Sequence, residues 1–145
     1  MKRVLLYLSL CLVFGATTLF AQVAVEAPAS CKQCGMDRTF FAHSRMLVVY
    51  ADGSSTGTCS LHCADVDMKK NSGKTVKALK VADFNSKKLI DARKATWVIG
   101  GKKSGVMTSV AKWAFAKKGD AESFIKEQGG KVASFNEAVA LAQKE

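Results

Sequence analysis

Histidine and proline are nearly missing from this 145-residue chain, which holds two of the first and, in Pro28, one of the second. With so little imidazole, no Ser/His/Asp constellation forms, no paired carboxylates stand out for acid–base work, and there is no glycine-rich phosphate loop. Acidic residues are also scarce, twelve against twenty-two Lys and Arg, giving a formal net charge of +10. The lysines lie in scattered pairs (Lys69-Lys70, Lys87-Lys88, Lys102-Lys103, Lys117-Lys118) rather than in one stripe, so no nucleic-acid partner is expected and a solvated basic surface, able to steer docking onto an acidic partner, is the favoured reading. No apolar run reaches the roughly 18 residues of a spanning helix. The longest, Val4 to Phe14, follows Lys2 and Arg3 and leads through small residues to a cleavage point at Ala21, the layout of a secretory signal peptide. Residues 1–21 are therefore expected to be removed on export, leaving no stable membrane span.

What the chain does have is sulfur. Cys11 lies within the apolar run behind a bulky Leu10, which opposes a lipoprotein cleavage box, and is expected to leave with the signal. The remaining four cysteines fall in two close pairs, Cys31-x-x-Cys34 and Cys59-x-x-x-Cys63, with Gly35-Met36 directly after the first pair and Met107 far downstream. Thiolate and thioether select monovalent copper, zinc or iron–sulfur centres, and thioether favours Cu(I) over zinc. A mature chain of this size buries enough surface to fold without staples, so the cysteines are free for chemistry.

The pattern along the chain predicts an α+β fold. Residues 22–30, with Pro28 among small residues, read as a tether, with order beginning near Cys31. Arg45 to Tyr50 and Ser55 to Cys59 form a hairpin around Asp52-Gly53, Ser60 caps a helix to about Lys70, and Val76 to Phe84 is strand-like. The order then recurs: strands at Ala95–Ile99 and Ala111–Ala116, a helix capped by Asp120 and stopped by Gly129-Gly130, a strand at 131–133, and a terminal helix opened by the capping box Ser134-x-x-Glu137. Two tandem ββαβ-like units packed together, residues 31–85 and 86–145, account for this.

Three readings of Cys31-x-x-Cys34 stand open: a metal site, a redox dithiol and a structural disulfide. Thioredoxin-like use ranks last, because that motif opens a helix after a buried strand, and here a tether precedes it. Gly35 lets the chain turn so that Cys34 and Met36 face one ion, although core filling is the commonest fate of a methionine. Cys59 and Cys63 flank a helix start, whose dipole favours thiolate. All four cysteines together also match a structural zinc site, the main competing metal reading. His62 shares the loop of the second pair, but it and His43 are read as unbound. Met107, in a connection between strands, is placed to close over Cys34 and Met36 from the second unit, in a low-coordinate sulfur site suited to Cu(I).

Cys34-Gly35-Met36, Thr58-Cys59-Ser60, Leu89-Ile90-Asp91-Ala92, Ala95-x-Trp97-Val98-Ile99-Gly100, Gly105-Val106-Met107, Trp113-Ala114-Phe115-Ala116 and the Ala121-Glu122-x-Phe124 segment leading to Gly129-Gly130 together resemble the NosL family over essentially the whole mature chain. The resemblance implies a fold of two tandem ββαβ units and an exported, non-enzymatic protein that delivers Cu(I) for assembly of nitrous oxide reductase, a periplasmic task with a copper-accepting enzyme or its transporter complex as partner. It also implies copper ligands at Cys34, Met36 and Met107. The first half is similar as well to heavy-metal trafficking motifs of the form Cys-Gly-Met…Cys-Ser-x-x-Cys, which adds Cys59 and Cys63. Cys31, Cys63 and His62 make this a sulfur-rich variant, and the chain departs from lipoprotein members in lacking a lipobox. A zinc-stabilised structural or sensing domain, and a thiol-dependent redox or organometal-cleaving enzyme, are the competing classes.

Overall fold

A computed structural model describes residues 24–145, so the expected signal peptide and Cys11 lie outside the described residues. The first hairpin pairs β1 (Met46–Tyr50) with β2 (Ser55–Thr58). Met46, Val48 and Tyr50 alternate inward along β1, the period-2 pattern of a strand with one face on the core. Ser60 then caps α1 (Leu61–Lys70), its side chain accepting the Cys63 backbone N–H, as its sequence position predicts. After α1 come β3 (Val76–Ala82) and β4 (Leu89–Asp91), completing a four-stranded antiparallel sheet in the order β2-β1-β3-β4. Three residues are too few for alternation to show, and β4 was not expected from the sequence.

The second half repeats the first. β5 (Thr96–Ile99) lies between β6 (Lys112–Phe115) and β7 (Lys131–Ala133), with α2 (Lys118–Gln128) connecting the last two, and α3 (Phe135–Ala142) closes the chain behind a Ser134/Glu137 capping box. In both sheets the first strand of the unit is central and the helix precedes the third. Asp120 does not cap α2. The helix begins at Lys118 behind Lys117, which makes no side-chain cap, and Asp120 sits inside the first turn, where its charge complements the helix dipole.

The segment expected to act as a tether is fastened down. Arg38 and Arg45, both buried, pair with the Glu26 carboxylate, and the Arg38 Nη1 also donates to the carbonyls of Glu26 (2.7 Å) and Pro28 (2.6 Å). Two buried cations without partners would be costly, so the chain from Glu26 onward is fixed by what it neutralises.

Two apolar clusters join the halves. One gathers Met46, Val48, Tyr50, Leu61 and Leu79 from the first sheet and α1 with Trp97, Ile99, Ala133 and Ala138 from the second half. The other sets Cys31, Cys59 and Cys63 against Val98, Val106, Trp113, Phe115 and Phe124. Trp113 and Phe115 share a face of β6, as their spacing predicts, while Ala114 faces the first cluster. The cysteines thus sit where the halves meet.

Candidate metal centre

Cys31 to Met36 folds into a tight knuckle. The Cys31 N–H donates to the Met36 carbonyl (2.7 Å) and the Gly35 N–H to the Cys31 carbonyl (2.9 Å), with an isolated bridge between Ser30 and Asp37 closing the base. Gly35 has φ +76°, a left-handed conformation that a Cβ would strain, so the turn between Cys34 and Met36 is one that glycine permits. Two contacts hold the knuckle in place. The Lys32 N–H donates to the Gly57 carbonyl of β2 (3.1 Å), and Gln33 Nε2 donates to Asp67 Oδ1 on α1 (2.9 Å). Asp67 is itself buried and accepts the Tyr50 hydroxyl (2.6 Å) on its other oxygen. Neither Gln33 nor Asp67 stood out in the sequence, because their partnership spans 34 positions and follows no motif.

Cys59 ends the hairpin and Cys63 lies in the first turn of α1, so the Cys-x-x-x-Cys spacing folds back to bring both sulfurs to one point. All four Sγ atoms lie within 4.8 Å of one another. Cys34 Sγ is 3.5 Å from Cys59 Sγ, and the Cys59 thiol donates to Cys63 Sγ at 3.8 Å. All four are free, with Cys31, Cys59 and Cys63 buried and Cys34 exposed. Neither the Cys31–Cys34 nor the Cys59–Cys63 pair forms a disulfide here.

The sulfurs share their protons unequally. The Cys59 hydrogen bond, with help from the Ser60 hydroxyl, brings Cys63 down to about 5 against the cost of burial. The same contact, followed by burial, pushes the Cys59 thiol well up, and burial also raises Cys34. At neutral pH the cluster therefore carries a thiolate on Cys63 at the positive end of α1, beside the Cys59 thiol that donates to it. That is a soft anionic pocket with one exposed cysteine, Cys34, on the side where a metal can enter or leave.

Met36 is half-buried and packs against the same apolar cluster as the three buried cysteines. Met107 is 43% exposed, with φ +53°, and no contact places its sulfur on the cysteines. Its loop is nonetheless adjacent: Val106 is buried in the cysteine cluster, and Val106 and Thr108 line a small cleft with Ser60, Leu61 and His62. His62 does not join the four sulfurs. His43 is half-buried between Phe84 and Trp113, ring centroids 5.5 and 5.4 Å away, where burial and then Lys103 and Lys87 hold its pKa low. A separate cleft of about 670 Å³, lined by Ile99, Val110, Gly130 and Leu141 among others, contains none of these sulfurs.

The sequence matches the NosL family over residues 22–140. Among solved structures, the chain is similar to the copper chaperone NosL from Shewanella denitrificans, with 26% identity and a TM-score of 0.60, over 79% of this chain and 92% of that one. No curated protein gives a significant match.

Proposed function

The chain belongs to the NosL family, and on that premise we propose that it is a copper-binding chaperone that captures Cu(I) on its sulfur cluster and passes it to a copper-accepting partner. The observation that carries the proposal is the convergence of four cysteine sulfurs within 4.8 Å at the junction of the halves, while Met36 packs against the apolar cluster that holds Cys31, Cys59 and Cys63. Sulfur supplies all four of the clustered ligand atoms, which favours a soft monovalent ion over hard divalent cations. The Cys63 thiolate attracts the ion, and exposed Cys34 is the sulfur best placed to be exchanged for a partner's ligand.

Several finer assignments belong to the same proposal. Cys34, Met36 and Met107 form the copper-specific set, with Cys31, Cys59 and Cys63 completing the thiolate pocket. The first unit, whose sheet extends past the expected boundary at residue 85 to include β4, supplies the cysteines and Met36, and the second supplies Met107. The N-terminal pattern supports export to the periplasm, and the described residues contain no helix long and apolar enough to cross a membrane. The recipient is nitrous oxide reductase or its assembly transporter. The protein is a carrier and not an enzyme, in keeping with the family and with its lack of acid–base machinery.

One observation favours a second reading. A tetrahedral zinc site with Zn–S distances of ~2.3 Å has sulfur–sulfur edges of about 3.8 Å, close to the Cys59–Cys63 separation of 3.8 Å. Transfer separates the two. Reduced, Cu(I)-loaded protein mixed anaerobically with copper-free nitrous oxide reductase is expected to lose copper to the enzyme, read as enzyme-bound copper after the two proteins are separated, with Cys34→Ser slowing the exchange. Retention of the metal by the carrier, with unfolding on zinc chelation, would favour the structural zinc domain.

A further inference from the structure

The loop that carries Met107 is not free. Glu145 reaches back across it from beyond α3: its carboxylate accepts the Thr108 hydroxyl (2.6 and 2.7 Å to the two oxygens), the Ser109 hydroxyl (3.1 Å) and the Val110 N–H (3.4 Å). Beneath it lies Lys112, whose side chain is only 3% exposed although it stands on a strand of the apolar core. Its Nζ donates to Glu145 Oε2 (2.9 Å), the Thr108 Oγ1 (2.6 Å) and the Val110 carbonyl (2.9 Å), so the buried cation is neutralised and all three of its N–H groups are used. Thr108, next to Met107, is therefore gripped from both sides.

The backbone at Met107 shows what the grip holds. Apart from Lys87, Met107 is the only non-glycine residue with positive φ among the described residues, a conformation that costs free energy and persists only where its surroundings impose it. Gly105 permits the loop to fold onto itself, since a Cβ there would lie 2.8 Å from Ala111 Cα. The result is a large apolar thioether left in solvent on a constrained loop, beside a neighbour, Val106, that is buried with the cysteines. Core packing explains Val106 and does not explain Met107.

We propose that Glu145 and Lys112 are positioning residues that hold the Met107 thioether at the mouth of the sulfur cluster, so that a carboxylate beyond α3 sets the copper affinity of a site built mostly from residues before β4. This rests on the reading of Met107 as a copper ligand.

The test is a double-mutant cycle between Glu145→Gln, with Glu145→Ala as the larger perturbation, and Met107→Ala. It reads Cu(I) affinity anaerobically against a chromophoric chelator, with the cadmium–thiolate charge-transfer band as a control on the cysteine pocket. Each Glu145 variant is expected to weaken Cu(I) about tenfold when Met107 is present and less than about twofold in the Met107→Ala background, a coupling of the size found between interacting residues. The cadmium band is expected to remain unchanged throughout. Equal weakening in both backgrounds, or a lost cadmium band in Glu145→Gln, would make the clamp merely structural and overturn the proposal. If Met107→Ala weakens binding and the Glu145 variants do not, positioning alone fails. If Met107→Ala has no effect, the assignment of Met107 as a ligand fails, and the positioning proposal with it.

Discussion

Gly57→Ala is expected to disturb both the fold and the metal site, through one buried cation. A Cβ at Gly57 would stand 2.5 Å from Arg38 Cζ and 2.9 Å from Nη2. A flexible side chain would ordinarily move aside. Arg38 cannot do so cheaply, because it is fully buried and donates to the carbonyls of Glu26, Pro28, Met46 and Thr58 and to the Glu26 carboxylate. Displacing it strands a buried charge and several carbonyls, and breaking such a pair costs 3–5 kcal/mol in the general case. We expect about 3 kcal/mol, a large part of the stability of a domain this size and about 12 °C in Tm. Gly57 also accepts the Lys32 N–H that seats the cysteine knuckle, so Cu(I) affinity is expected to fall with stability. The assay is urea unfolding followed by tryptophan fluorescence, with Gly57→Ala measured in the native and Arg38→Met backgrounds. In the second the guanidinium is gone, and the added methyl is expected to cost no more than about 1 kcal/mol. A loss below about 0.5 kcal/mol in the native background, or the same loss in both, would refute the reasoning.

Three further outcomes follow from named contacts. Asp67→Ala strands the buried Tyr50 hydroxyl and releases Gln33, so it is expected to cost about 2 kcal/mol in urea unfolding and to weaken metal binding through a loosened Cys34. Ser60→Ala removes the α1 cap and the hydroxyl that helps hold Cys63 ionised, and is expected to cost about 1 kcal/mol and to move thiolate absorbance near 240 nm toward higher pH. Burial opposes ionisation of Glu145, yet the hydrogen bonds from Thr108 and Lys112 and the Lys112 charge win and bring its pKa to about 2 from an ordinary 4.5. Its stabilisation is therefore complete above about pH 4.5 and lost as pH falls toward 2. The gap in stability between native protein and Glu145→Gln should be widest at pH 7 and narrowed at pH 3, and a gap that grows on acidification would contradict the assignment.

Much of the architecture is legible locally. Alternation in β1, the Ser60 cap, the Gly129-Gly130 stop and the Ser134/Glu137 box each depend on residues within a few positions of one another, so they read directly from the chain. β4 was missed because Leu89–Asp91 takes its strand conformation from pairing with β3, not from any pattern of its own. The two cysteine pairs were legible as pairs, through spacing and through Gly35, and their meeting at one point is the work of the tertiary fold. What holds the centre in place was not legible at all. Glu26 with Arg38 and Arg45, Gln33 with Asp67, and Lys112 with Glu145 are polar partnerships across the fold, and each member alone reads as an ordinary surface residue of a basic protein.

The most direct test of the central claim offers the reduced protein one equivalent each of Cu(I) and Zn(II) under anaerobic conditions, then measures the metal retained after desalting in wild type and Met36→Ala. The account predicts copper in the wild type at near one equivalent, with the copper share falling when Met36 is removed. Zinc retained in both, at the same level, would contradict it.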